Sequence, residues 1–180
     1  MNEVWKDILG FEGYQISNLG NVRSCRYGTR TGLKFKGWRN ITSSFNGRKS
    51  HLIIDLVDSE GKRKSYQLHR LLYEIFISPI PEGAQVEHKD RNGLNNTLDN
   101  LRLSTQSQNV MNQKTRKGRK FKGVYSSKSG KWECRTSFKG KTVYLGVYHT
   151  ELDAAKAYNE YARKTFGEFA CLNVIDLEIQ

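Results

Sequence analysis

The chain is 180 residues long and carries 30 Lys and Arg against 18 Asp and Glu, a formal charge of +12. That length holds one ordinary domain or two or three small ones, and that charge points to a polyanionic partner, nucleic acid before anionic membrane. No run approaches the roughly 18 apolar residues of a membrane-spanning helix, and no secretory leader is visible in Met-Asn-Glu-Val-Trp-Lys.

From Glu3 to Ser24 the chain reads as short strands broken by Gly and Asn turns. Between Arg23 and Lys49 stand eight Lys or Arg and no Asp or Glu, interleaved with Tyr27, Phe35 and Trp38. One-signed charge mixed with aromatics reads as a surface for the DNA backbone. Leu52–Val57 and Ser65–Leu68 form a hairpin around Asp58–Gly61. Leu71, Leu72, Ile75 and Phe76 then recur at helical spacing and stop before Pro79 and Pro81. His69, near the start of that helix, is read as structural, and His51 and His149 have no partner at ligand spacing.

The stretch from Glu87 to Asn109 carries the chemistry. Gln85–His88 is a short strand, followed by a polar loop from Lys89 to about Asp99 made of turn-forming residues. Leu101 and Leu103 alternate with Arg102 and Ser104 as a second strand. Thr105 with Gln108 is a capping-box pattern that starts a helix carrying Asn109. Strand, loop, strand and helix would bring Glu87, His88 and Asn109 to one place.

This stretch resembles the ββα-metal (HNH) nuclease motif of phage and intron-encoded homing endonucleases. Glu87 and His88 match the acidic residue and His that end the first strand, Asn100 the middle Asn, and Asn109 the third position. The resemblance implies one divalent cation, Mg²⁺ or Mn²⁺, held by Glu87 and Asn109. It implies His88 as general base and Asn100 as the residue that orients the loop and that His. The residue types suit this: imidazole titrates near pH 7, and carboxylate and amide oxygens are hard ligands for Mg²⁺. Glu87 stands where members more often have Asp, and Asn109 brings no charge, so metal affinity is expected to be weak. The N-terminal W-x-x-I…Y-x-x-S-x-x-G-x-V pattern likewise resembles the small module that precedes the nuclease core in these enzymes.

Lys114–Phe121 is basic and without periodicity, and is expected to be a mobile linker that gains order on phosphates. Strands follow at Gly123–Tyr125, Lys131–Phe138 and Lys141–Gly146, with Trp132, Cys134, Thr136 and Phe138 on one face and Glu133, Arg135 and Ser137 on the other. Thr150 with Asp153 opens a helix through about Phe166, closed by Gly167, with Ala155, Tyr158, Ala162 and Phe166 as its buried stripe. Through G-V-x…G-K-W…Y-L-G-x-Y and the closing A-x-L-N, residues 122–173 resemble the plant ethylene-response-factor (APETALA-type) DNA-binding domain. The resemblance implies that Lys122, Tyr125, Arg135 and Ser137 face the major groove, with Lys128, Lys139 and Lys141 near phosphates and Tyr144 a weaker candidate. Cys25, Cys134 and Cys171 are widely spaced and odd in number, and read as small buried hydrophobes rather than disulfides or zinc ligands.

The expectation is therefore an α+β modular chain: an N-terminal module at 1–45, a nuclease domain at 46–113, a linker at 114–121 and a sheet domain at 122–174. Its expected function is site-specific cleavage of double-stranded DNA by a monomer or weak dimer, one strand per binding event, in the cytoplasm of a bacterial host. The expected products are a 5′-phosphate and a 3′-hydroxyl. The rival reading is a DNA-binding regulator with an inactive nuclease motif; an RNA-binding protein fits the charge but not the motif.

Overall fold

The computed structural model describes residues 2–29, 32–47 and 50–175, so Arg30, Arg48 and Lys49 of the basic run lie outside the described residues. The chain divides into two compact units, 1–103 and 104–180.

The first unit opens with a four-stranded antiparallel sheet in chain order: β1 (Trp5–Asp7), β2 (Tyr14–Ser17), β3 (Val22–Thr29) and β4 (Gly32–Ile41). Ile16 and Val22 sit opposite one another and bury their side chains in the unit's core. Strands β3 and β4 leave Tyr27, Phe35 and Trp38 exposed among the basic residues. Arg23 stacks between the rings of Trp5, at 4.0 Å, and Trp38, at 4.8 Å, a cation–π arrangement that holds a charge over an aromatic surface.

A second antiparallel sheet follows, β5 (Ser44–Phe45), β6 (Leu52–Val57) and β7 (Arg63–Gln67). The expected β6–β7 hairpin forms, but Leu68 begins helix α1 (Leu68–Phe76) instead of ending the strand. Burial decides this: Leu68, Leu71 and Leu72 form one inward stripe at i, i+3 and i+4. They pack with Ile54 and Leu56 of β6 and with Val86 and Leu101. Val86 and Leu101 belong to the paired strands β8 (Gln85–His88) and β9 (Leu101–Ser104). Both strands of the nuclease motif are thus seated on the same core as α1.

The second unit begins with α2 (Gln106–Asn112). Its capping box is complete: Gln108 N–H donates to Thr105 Oγ1 at 3.2 Å, and Thr105 N–H donates to Gln108 Oε1 at 2.8 Å. Seven residues do not make a stable helix alone; Met111 anchors this one in the unit's core. The antiparallel sheet β10 (Val124–Ser126), β11 (Trp132–Phe138) and β12 (Lys141–Tyr148) packs on α3 (Glu151–Phe166). Cys134 and the stripe Ala155, Tyr158, Ala162 and Phe166 fill the space between. Lys139 and Gly140, both at positive φ, make the two-residue turn between β11 and β12, as hairpin twist requires. The α3 boundaries and its Thr150 cap, which accepts from Asp153 N–H at 3.0 Å, agree with the sequence.

Residues 114–121 differ from expectation at their end: Phe121 is 6% exposed and part of the second core. Asn173, which follows α3, locks this region. Its side chain accepts from Lys122 N–H at 2.6 Å and donates to Lys122 O at 3.1 Å, while its backbone pairs with Asn159 of α3. The three cysteines are free thiols, with Cys134 and Cys171 buried.

Candidate active site

Strand β8 ends on Glu87 and His88, and both side chains are buried, at 4% and 5% exposure. Consecutive strand residues point to opposite faces, so the two groups find different partners. Glu87 Oε1 accepts from Arg102 Nε on the neighbouring β9 at 2.6 Å. Its other oxygen, Oε2, is buried with no hydrogen-bond partner among the described residues. A buried carboxylate oxygen with no donor is costly, and it is the kind of lone-pair site that a hard cation satisfies. Glu87 thus offers one hard oxygen donor, with Arg102 already compensating part of its charge. Among the described residues, no three or more His, Cys, Asp or Glu are grouped to hold a metal ion.

His88 Nε2 lies 3.1 Å from Asn96 Oδ1. An amide oxygen only accepts, so this bond assigns the proton to Nε2 and the lone pair to Nδ1. That is the tautomer a general base needs. Asn100 works one step away, on the loop. Its Oδ1 accepts from Asp90 N–H at 3.0 Å, its Nδ2 donates to Asp90 Oδ1 at 3.0 Å and Asn95 O at 2.8 Å, and its carbonyl accepts from Lys89 N–H at 2.8 Å. The middle Asn thus closes the loop from Lys89 to Asn100, and Asn96 holds the ring. Burial alone raises the Asp90 carboxyl, but hydrogen bonds from Asn95, Asn92 and Asn100 outweigh it and leave the pKa below the ordinary value. Within the same loop Arg91 takes φ 64°, a left-handed conformation rare for a residue with a side chain.

Two histidines that the sequence left aside meet His88. The ring centroids of His69 and His88 lie 4.9 Å apart, those of His51 and His69 5.1 Å, and those of His51 and His88 5.7 Å. His69 comes from the first turn of α1. His51 is held by a bond between its Nδ1 and Ser50 Oγ at 2.9 Å and by the nuclease loop's close approach at Gly93. There, a Cβ would sit 2.0 Å from Ser50 O and 3.1 Å from the His51 ring. Burial, then His88, His51 and Arg70, push the His69 pKa down to about 3, so this ring is neutral at physiological pH. Burial, then His88, also lowers that of His51. Three residues so far apart in sequence give no spacing signal; only the fold assembles them.

In the second unit, Asn109 sits in the first turn of α2, where its N–H donates to Thr105 O at 2.9 Å. The expected DNA-facing residues divide into two groups. Tyr125 is flanked by Arg119 and Arg135, each 4.4 Å from its ring, and Arg135 also reaches Glu133 at 3.4 Å. Lys128, Arg135, Ser137, Lys139 and Lys141 are exposed. Lys122 has a different occupation: its ammonium donates to Val110 O, Met111 O and Gln113 O at 3.3, 2.6 and 2.6 Å. It neutralises the carbonyl end of α2, an occupation that the sequence did not indicate, while lining the same concavity as Tyr125, Arg135 and Ser137. Arg119 joins that surface from the supposed linker.

Comparison with known proteins gives a consistent picture. The HNH endonuclease family matches residues 66–111, and the NUMOD4 motif matches residues 3–49. An uncharacterized HNH endonuclease, L560, of Acanthamoeba polyphaga mimivirus is 40% identical over 111 residues, 61% of this chain and 58% of its own. DNA endonuclease I-HmuI of Bacillus phage SP01 is 40% identical over 115 residues, 62% of this chain and 58% of its own. The chain thus spans a little over half the length of these two relatives. Protein 3.8 of Escherichia phage T7 is 37% identical over 89 residues, 44% of this chain and 74% of that protein. A solved structure described as DNA binding and cleavage by the HNH homing endonuclease I-HmuI matches at TM-score 0.49 and 39% identity, covering 61% of this chain and 57% of that one. The plant likeness is partial: APETALA2-like protein 2 of Oryza sativa is 41% identical over 56 residues, 30% of this chain and 13% of that protein. The chain thus carries an HNH endonuclease segment at residues 66–111, with a NUMOD4 motif ahead of it at residues 3–49.

Proposed function

We propose that the protein is a metal-dependent, site-specific DNA endonuclease of the homing type. The observation that carries this reading is the adjacent buried pair on β8. His88 is held by Asn96 in the tautomer of a base, and Glu87 keeps one oxygen unpartnered.

The reaction follows from these residues. DNA lies along the exposed basic and aromatic surface of β3 and β4 and across the β10–β12 sheet, where Tyr125, Arg135, Ser137, Lys128, Lys139 and Lys141 meet it. Phosphate contacts fix register, and side chains in the groove discriminate bases. His88 takes a proton from water, the oxygen attacks phosphorus, and the bond to the 3′ oxygen breaks, leaving a 5′-phosphate and a 3′-hydroxyl. Asn96 and Asn100 keep the ring and loop from turning during that transfer. A Mg²⁺ or Mn²⁺ ion, held by Glu87 and by Asn109 as the motif assigns them, would supply Lewis-acid stabilisation of the charge on the phosphate. Arg102 holds Glu87 in place and competes with the cation for it, so binding is weak. With a single motif per chain, a monomer cuts one strand per encounter, inside the cell that hosts the phage or mobile element.

Nicking of supercoiled plasmid with Mg²⁺, abolished by EDTA and by Glu87→Gln, tests the reading. Tight DNA binding without nicking at any metal concentration would instead make the protein a regulator.

A further inference from the structure

Arg119 stands in the stretch that the sequence reads as a mobile linker, yet its backbone is pinned on both sides. Its N–H donates to Arg116 O at 3.1 Å, closing a turn with Gly118 at φ 88°, where a residue with a side chain would be strained. Two residues on, Phe121 is buried in the second core, and Lys122 N–H donates to Asn173 Oδ1 at 2.6 Å. The Arg119 guanidinium lies 4.4 Å from the centre of the Tyr125 ring and, among the described residues, pairs with no carboxylate. Arg135 lies at the same distance from that ring and reaches Glu133. The two guanidinium carbons are therefore at most twice that distance apart, less than three steps of roughly 3.4 Å between stacked bases. Arg119, Tyr125 and Arg135 share a concavity of about 390 Å³ with Lys114, Arg116 and Lys122, and none of its lining residues is acidic.

We propose that Arg119 is a specificity-determining residue: its guanidinium reads the major-groove edge of one guanine, within two base steps of the position that Arg135 meets. The inference rests on the DNA-binding part of the reading above. Guanine presents two acceptors side by side, N7 and O6, which match the parallel N–H donors of a guanidinium fork. Adenine and cytosine place an amino donor on that edge, and thymine a methyl group, so a fork held in position meets a mismatch there. A phosphate contact asks for less, because any mobile Lys or Arg supplies the charge. Preorganisation favours the base. The turn and the second core hold the Arg119 backbone, and Tyr125 holds its side chain, so the fork has little freedom left to lose on binding. No carboxylate within the concavity competes with the base for its N–H groups.

The test uses the full-length protein in EDTA, which removes the metal that cleavage requires. The wild type selects duplexes from a randomised library. Affinities of the wild type, Arg119→Ala and Arg119→Lys are then measured for the selected duplex and for versions with each guanine in turn replaced by adenine. Arg119 is exposed, so both variants are expected to melt like the wild type. The expected result is one guanine whose replacement weakens wild-type binding about 5- to 150-fold. Arg119→Ala should bind the selected duplex more weakly by a similar factor and be indifferent to that replacement. A loss shared equally by all the duplexes, with the slope of log affinity against log salt falling by about one and Arg119→Lys restoring it, is the mark of a phosphate contact and overturns the inference. Arg119→Ala binding every duplex like the wild type overturns it too. The underlying reading fails separately: a wild type that binds no duplex sinks both, whereas binding without preference for any guanine sinks this inference alone.

Discussion

Replacing Arg102 with Met removes the guanidinium from Glu87 and keeps most of the side chain's volume. The two groups meet at 2.6 Å, with side-chain exposures of 12% and 3%, so the pair sits where solvent screens little. Taking one partner from a buried pair leaves an uncompensated charge and costs about 3–5 kcal/mol. The pair lies toward the larger end, because Glu87 Oε2 has no other donor. In a chain of this length about 5 kcal/mol lowers the melting midpoint by roughly 10–20 °C. Removing the charge as well, in Glu87→Gln with Arg102→Met, recovers most of that loss, since the pair itself contributes little net stability. Urea melts of the wild type, both single variants and the double variant give the coupling directly. In Arg102→Met, millimolar Mg²⁺ should also raise the midpoint, because the competing cation is gone. Additive single-variant effects, or an Arg102→Met cost below about 1 kcal/mol on the same scale, would show that Glu87 is not held as described.

The buried His69 sets a pH dependence. Its folded-state value of about 3 lies below the 6.5 of a free imidazole, so the unfolded chain binds the proton more readily. That stabilisation is complete above about pH 6.5 and is lost as the pH falls toward 3, at about 1.4 kcal/mol per unit. His69→Asn should flatten that slope in urea melts between pH 6.5 and 4.5. Gly123→Ala should cost about 2–4 kcal/mol, because φ is +78° and the new Cβ would lie 2.3 Å from the Tyr158 ring. A thermal melt within a degree of the wild type contradicts this. Lys122→Ala should lower stability and leave the salt dependence of DNA binding unchanged, since its ammonium caps α2. Arg135→Ala should instead reduce the slope of log affinity against log salt by about one.

Much of this architecture was legible because short-range signals agreed with the cores that formed. Thr105 with Gln108, and Thr150 with Asp153 and Gly167, mark helix ends by chemistry that acts within four residues. Alternation at Trp132–Phe138 marks a sheet with one buried face. The places of Glu87, His88 and Asn100 at a strand end and in a loop were legible because a motif constrains their order. The rest depended on packing that no local pattern encodes. Leu68 reads as a strand residue until α1 needs its inward position. Lys122 reads as a groove contact with no sign that its ammonium also caps α2, and Phe121 as linker until it enters the second core. Asn96 looked like one more turn residue in an Asn-rich loop, and the His51–His69–His88 cluster joins three separate elements through the contact at Gly93.

The most direct test is single-turnover cleavage of plasmid DNA with Mg²⁺ by the wild type and by His88→Ala, with binding measured on the same samples. Loss of the general base should slow cleavage by roughly 10²- to 10⁴-fold while binding stays intact. Equal cleavage by both proteins, or none by either, would contradict the assignment of His88 as the residue that takes the proton.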